Sequence, residues 1–295
     1  MDQLSSRGDR VFDMFNLLIL GLFLITVLYP LIYVVSASFS SPAAVIGGRV
    51  WLWPVDISFE GYAAVFRHRL IWTSFMNTIT YTLLGTVISL VITVLAAYPL
   101  SRKDFKGRKG FTLLFVFTMM FNGGLIPMYL LVRGLGMLDT LWAMVIPSAL
   151  SVWNVMIMVT YFRTSIPEEL LESAQIDGCN DFTYLLRIVL PLSGPIIAVM
   201  TLFYGVDQWN QYFNALIFLK SEVRFPLQLV LRDILIQNQV SQETLGDVST
   251  AAARQGLREL LKYSLIVISS VPLLAVYPFV QKFFVKGIMI GSIKG

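Results

Sequence analysis

The residues that build most protein metal and redox sites are nearly missing here. The 295-residue chain has one cysteine, Cys179, and one histidine, His68. A single cysteine excludes an intrachain disulfide and a cysteine-rich metal cluster, and a single histidine excludes a His cluster. No metal ligands are therefore expected. No G-x-x-x-x-G-K-[ST] run occurs either, so the chain has no phosphate cradle of its own. No nucleophile–base pair emerges, and no catalytic residues are assigned. Charge is the third scarcity. Only 14% of residues are charged against 56% hydrophobic, too little polar sequence to coat a soluble domain. A net charge of +4 is mild and suits basic loops beside a membrane better than a nucleic-acid stripe, so no nucleic-acid partner is expected.

What the chain has instead is long charge-free runs and a mean hydropathy of +0.73. Six segments reach the roughly 20 residues that cross about 30 Å of hydrocarbon as a helix. They are 14–36, 73–100, 111–132, 140–162, 192–219 and 262–281. The first begins after Arg7 and Arg10, and "VVSASFS" offers small residues that could mimic a signal-cleavage site. Its apolar run from Met14 to Val35 is 22 residues, however, longer than a signal core, so a retained span is expected. Pro30, Pro99, Pro127, Pro147 and Pro272 lie in or near span ends, where helices buried among neighbours tolerate them as kinks.

Orientation follows from basic residues in short loops. With both termini inside, Lys and Arg divide 12 inside to 10 outside, which decides little. The cluster Arg102, Lys103, Lys106, Arg108 and Lys109 in "SRKDFKGRKG" carries the reading. Both termini, the 163–191 insert and the 282–295 tail are then cytoplasmic, with 37–72 and 220–261 outside. In the outer segment Leu227, Val230, Leu231, Ile234 and Leu235 follow helical spacing and form one apolar face. That face either packs on its own bundle or serves a partner.

The insert "PEELLESAQIDGCNDFTYLLRIVLPLSGP" is acidic and glycine-punctuated, between two lipid-length segments. Pro167 marks a helix start, and Glu168 and Glu169 complement the helix dipole. Gly178 supplies a left-handed stop, Asn180 or Asp181 caps a second helix, and Pro191 closes it. Phe182, Leu185, Leu186 and Val189 give that helix an apolar face. A pair of this kind either lies on the inner leaflet or inserts as a knob into a cytoplasmic partner.

Here the residues resemble a family. The stretch resembles the EAA loop of permease subunits from binding-protein-dependent ABC importers, with Glu172, Ser173 and Ala174 as the triplet, then Gly178 and Leu190-Pro191. Ser173 and Cys179 replace the more usual alanines. "AQIDGCNDF", "QKFFVKGIMIGSIKG", "NGGLIPMYLLVRGLGMLDTLWAMVIP" and "WNQYFNALIF" are similar to the carbohydrate (MalG-like) branch, on the LplC/YtcP oligosaccharide side. The resemblance implies an all-α membrane protein of the type I ABC importer permease fold, with six transmembrane helices and a cytoplasmic coupling helix pair. It implies a second, MalF-like permease subunit, two ATPase subunits that bind ATP and Mg, an extracytoplasmic sugar-binding protein and an oligosaccharide substrate. No cofactor is expected on this chain.

In such a subunit the insert docks in a cleft of the ATPase, which implies that role for Glu169, Glu172, Ser173, Ala174, Asp177 and Gly178. The tail residues Lys286, Gly287, Gly291 and Lys294 are implied to contact the ATPase, and roughly 237–256 to reach the binding protein. From the residues themselves, Asp207, Trp209, Asn210 and Asn214 are candidates for the translocation path, because a midplane carboxylate is costly against lipid and must face the bundle interior or a cavity. The alternative is an interhelical hydrogen bond with no substrate contact. Asp207, Asn210, Gln211 and Asn214 share one helical face, and Trp209 either flanks the path or packs on a neighbouring helix. Asn77 and Asn122 are expected to cap or bond between helices. A permease for a polyamine or phosphonate, or a self-sufficient secondary transporter, are the alternatives.

Overall fold

The computed structural model describes residues 7–240, 256, 259–278 and 281. Among the described residues the chain is helical and has no strand. In chain order the helices are α1 (Arg7–Ser38), α2 (Pro42–Ile46), α3 (Glu60–Arg67), α4 (Arg69–Ser101), α5 (Arg108–Met120), α6 (Leu125–Gly134) and α7 (Leu141–Val145). They continue as α8 (Val152–Ser165), α9 (Glu168–Ile176), α10 (Asp181–Leu192), α11 (Gly194–Trp209), α12 (Phe213–Phe218), α13 (Leu227–Val240) and α14 (Glu259–Pro278). Three stretches are long and apolar enough to cross a membrane unbroken: Val11–Ser38, α4 and α14. The pairs α5–α6 and α10–α11 qualify only as bent spans, with bends of 113° and 84°.

Three expected spans are thus interrupted, each for a local reason. Within 111–132 the helix stops at Phe121, where the Asn122 side chain accepts from the Gly124 amide at 2.8 Å and turns the backbone. Asn122 thus makes a turn ahead of α6 rather than the expected cap, since Gly124 holds the cap position without a side-chain bond. Within 140–162 the chain breaks at Pro147, which cannot donate to a helix, and restarts at Ser151, whose hydroxyl caps α8. Within 192–219, α11 ends at Trp209 with Asn210 as its cap, and α12 begins at Phe213.

The described residues divide into two compact units, one from 1–69 and 231–271, the other from 70–230 and 272–295. In the first, Ala37, Ala44, Val45, Val50 and Leu260 form the core, with Tyr33 edge-on to Tyr263 at 5.8 Å. Along α1, large side chains from Val11 to Leu24 are exposed all round, a surface that only lipid or another apolar chain can cover.

The second unit holds the main core. Tyr98 and Leu100 of α4, Met158 and Phe162 of α8, Ala174 of α9, Tyr184, Leu185 and Val189 of α10, and Met200 and Tyr204 of α11 are buried together. At the other end of α4, polar side chains serve the 223–227 turn. Asn77 Nδ2 donates to the Val223 and Phe225 carbonyls at 2.7 and 3.2 Å. Tyr81 donates to the Arg224 carbonyl at 2.8 Å, and Thr78 Oγ1 accepts from the Leu227 amide at 2.8 Å. Leu227, Leu229 and Val230 are buried, so the first turn of α13 packs on its own bundle.

Candidate functional site

Two places in the second unit combine exposed polar groups with a defined scaffold. The first is the α9–α10 pair. Its turn is a closed C-terminal motif, in which the Gly178 amide donates to Gln175 O at 3.0 Å and the Cys179 amide to Ala174 O at 2.9 Å. Gly178 sits at φ +75°, a conformation that an L side chain resists. Asn180 then caps α10 by accepting from the Thr183 amide at 2.8 Å. Continuation through Pro191 differs from the expected stop. Residues 185–189 widen into a π-turn, and the helix runs on to Leu192.

Burial separates two faces of the pair. Ala174, Tyr184, Leu185 and Val189 lie in the main core, whereas Glu169, Glu172, Ser173 and Asp177 are exposed. The anticipated face of α10 is therefore split. Phe182 and Leu186 point outward with Ile176, which is 87% exposed, while Tyr184 is buried. Sequence reading missed Ile176, because a lone isoleucine before a helix end carries no periodic signal.

An ionic latch ties this pair to the end of α4. The Arg102 side chain, only 11% exposed, donates to both carboxylate oxygens of Asp104 at 2.9 and 2.6 Å. Its Nη1 donates to Asp181 at 2.9 Å and to the Tyr98 hydroxyl at 2.8 Å. Lys103 pairs with Glu168. The Asp104 hydrogen bonds hold Arg102 charged above its ordinary range, and Arg102 in turn lowers the Asp104 carboxyl. Asp104 and Asp181 are exposed, so each pair contributes about 1 kcal/mol or less; the latch positions the helices more than it stabilises them. Between the latch and α9 lies a cavity of about 890 Å³.

The second place is where two interrupted helices meet. Gln208 Nε2 and Gln211 Nε2 both donate to Ser148 Oγ, at 3.2 and 2.9 Å. The α7–α8 break thus touches the α11–α12 break. A Cβ on Gly85 would lie 2.5 Å from Gln208 Cδ, so glycine lets α4 close on this node. Gln208 is buried, and the Oε1 atoms of both glutamines have no partner in the structure. Irregular backbone within a membrane segment occurs where it is buried in protein or lines a hydrated cavity.

The expected polar stripe of Asp207, Asn210, Gln211 and Asn214 does not share a helical face, because α11 ends before Asn210. Asp207 and Asn210 are exposed, Asn214 is half-buried on α12, and Asn210 Nδ2 donates back to the Val206 carbonyl at 2.9 Å. Trp209 is 5% exposed and edge-on to Phe75 at 6.0 Å, so it packs on a neighbouring helix. The tail positions Lys286, Gly287, Gly291 and Lys294 lie outside the described residues, as does most of 237–256.

Comparison with known proteins agrees with this architecture. Residues 89–290 match the family described as the binding-protein-dependent transport system inner membrane component. The chain is 40% identical over 97% of its length to the polygalacturonan/rhamnogalacturonan transport system permease protein YtcP of Bacillus subtilis, covering 99% of that protein. Protein LplC of the same organism is 40% identical over 99% of this chain and 97% of its own. A crystal structure of a bacterial ABC transporter involved in import of the acidic polysaccharide alginate contains a chain with TM-score 0.86 and 40% identity. That match covers 96% of this chain and 99% of the other. The protein has the type I importer permease fold, and it belongs to the inner membrane components of binding-protein-dependent ABC transport systems, as a permease rather than an enzyme.

Proposed function

We propose that this permease carries an oligosaccharide into the cell, and that the cargo bears uronate carboxylates. The observation that supports the cargo class is likeness at 40% identity, over nearly the whole chain, to a polygalacturonan/rhamnogalacturonan permease and to a chain of an alginate importer. Both named cargoes are acidic polysaccharides. The working assembly adds a second, MalF-like permease, two ATPase subunits carrying ATP and Mg, and an extracytoplasmic sugar-binding protein.

In this reading the α9–α10 pair enters the ATPase cleft. Glu169, Glu172, Ser173 and Asp177 offer polar contacts, and Ile176, Phe182 and Leu186 an apolar knob. The opposite face of the pair is buried with α4, α8 and α11, so displacement of the knob moves spanning helices. The polar node at Ser148, Gln208 and Gln211 keeps the interrupted helices together, and Asp207, Asn210 and Asn214 flank the path of the sugar. Both termini face the cytoplasm.

Reconstituting the complete transporter with its binding protein tests this. Labelled oligogalacturonate should enter proteoliposomes only with ATP and the binding protein, with neutral oligosaccharides of equal length entering more slowly. Asn210→Leu should slow uptake while binding-protein-stimulated ATPase persists. Uptake of a polyamine or phosphonate in preference to any saccharide would overturn the cargo.

A further inference from the structure

The first turn of α5 and the last of α8 hold a second cationic cavity, which shares Arg108 and Arg163 with the larger one beside α9 and lies away from the mid-membrane node. Arg108, Lys109, Thr112, Leu113 and Val116 of α5 and Arg163 of α8 line a cavity of about 340 Å³. Its lining has three cations and no carboxylate. The two guanidiniums come from different helices that pack together. Arg163 donates to the Leu100 carbonyl at 2.6 Å and Arg108 to the Arg102 carbonyl at 3.4 Å. Both bonds cap the free carbonyl end of α4, and neither neutralises charge. Among the described residues, no carboxylate forms an ion pair with Arg108, Lys109 or Arg163; acidic neighbours pair instead with Arg102 and Lys103.

Snorkelling explains a lone basic side chain at a span end, since the charge spreads toward water. It does not explain two guanidiniums brought to one cavity, where each repels the other. Burial, and then the nearby Arg108 charge, pull Arg163 below its ordinary range. An anion between them would relieve both costs. One turn further into the membrane segment the lining becomes apolar, with Leu113 70% exposed and Val116 38% exposed. Cationic donors above and exposed apolar side chains below match an amphiphile whose head is an anion.

We propose that Arg108, Lys109 and Arg163 bind the phosphate headgroup of an anionic phospholipid, whose acyl chains lie along Leu113 and Val116. Because Arg108 and Arg163 also line the larger cavity beside α9, the lipid would steady the end of α4 from which the ionic latch reaches the coupling pair. Lipid retention is read without cargo, so failure here and failure of the saccharide assignment are distinguishable.

The test uses the complete transporter in nanodiscs of mixed phosphatidylglycerol and phosphatidylcholine, with bound lipid counted by native mass spectrometry. The parental complex should retain phosphatidylglycerol selectively. At about 1 kcal/mol for each basic residue near the surface, Arg108→Gln with Arg163→Gln should reduce that selectivity about 30-fold. The Arg108→Lys, Arg163→Lys pair should retain most of it, which separates lost charge from lost folding. Excess inorganic phosphate should not displace the lipid, since it lacks the apolar anchor. Unchanged selectivity in the double Gln variant, displacement by phosphate, or loss of the lipid whenever ATPase subunits are bound would each overturn the proposal.

Discussion

Asp139 shows how one side chain secures a connection. It stands at φ +54°, a region that Asp tolerates better than most residues. Its Oδ1 accepts from the amides of Lys220 and Ser221 at 3.0 and 3.1 Å, and its Oδ2 from the Ser221 hydroxyl at 2.6 Å. Those bonds, the Ser221 hydroxyl foremost, pull its pKa to about 2. A carboxyl depressed on folding contributes stability above its unfolded value near 4 and loses it as pH falls toward 2. Asp139→Asn keeps the shape and the tolerance of positive φ while weakening these acceptors. At pH 7 it should cost about 1 kcal/mol, discounted for solvent access. Thermal unfolding in detergent should show the gap to the parent closing between pH 4 and pH 2. A gap of equal size at both ends would mean the charge is not what matters.

Among the elements, the α9–α10 turn is the most sharply specified. Space is not what makes Gly178 necessary, because a Cβ there meets nothing within 4 Å. The constraint is the left-handed backbone, which costs a β-branched residue about 1–3 kcal/mol. Gly178→Val should leave the chain inserted and the complex assembled. The turn would open, and both uptake and binding-protein-stimulated ATPase should fall at least tenfold; Gly178→Ala should be milder. Transport at the parental rate by the Val variant would remove the turn from coupling. The capping residues of this element were legible in sequence, since Pro167, Gly178 and Asn180 act through adjacent backbone. Which apolar residues of α10 face inward was not, because burial of Tyr184 rather than Phe182 depends on what α4 and α8 present to it.

For the molecule as a whole, the prediction concerns its orientation in the membrane. The dense cations of 101–110 are the ground for expecting that loop inside. Lys106→Cys and Glu222→Cys, each made in a Cys179→Ser background, should label from opposite sides of intact cells and everted vesicles. Labelling of Lys106→Cys from outside and of Glu222→Cys only in everted vesicles would reverse the orientation, and labelling of both from outside would overturn the topology. Both positions are exposed, so a negative result cannot be ascribed to burial.

Composition and hydropathy alone determined that the chain is a helical membrane protein, because a bilayer cannot satisfy unpaired backbone and apolar length is read directly from sequence. Local chemistry determined the caps and the turn of the coupling pair, since each acts over a few residues. Hydropathy counted residues 111–132, 140–162 and 192–219 as whole spans even though Asn122-Gly123-Gly124, Pro147 and Asn210 were visible in them. An average over a window gives little weight to a single breaker. Whether a break is tolerated depends on partners distant in sequence: Ser148 receives Gln208 and Gln211, some 60 residues away, and Gly85 makes room for Gln208. The meeting of the Arg108 and Arg163 guanidiniums is decided in the same way. The packing of α5 on α8 sets it, and no spacing along the chain predicts it.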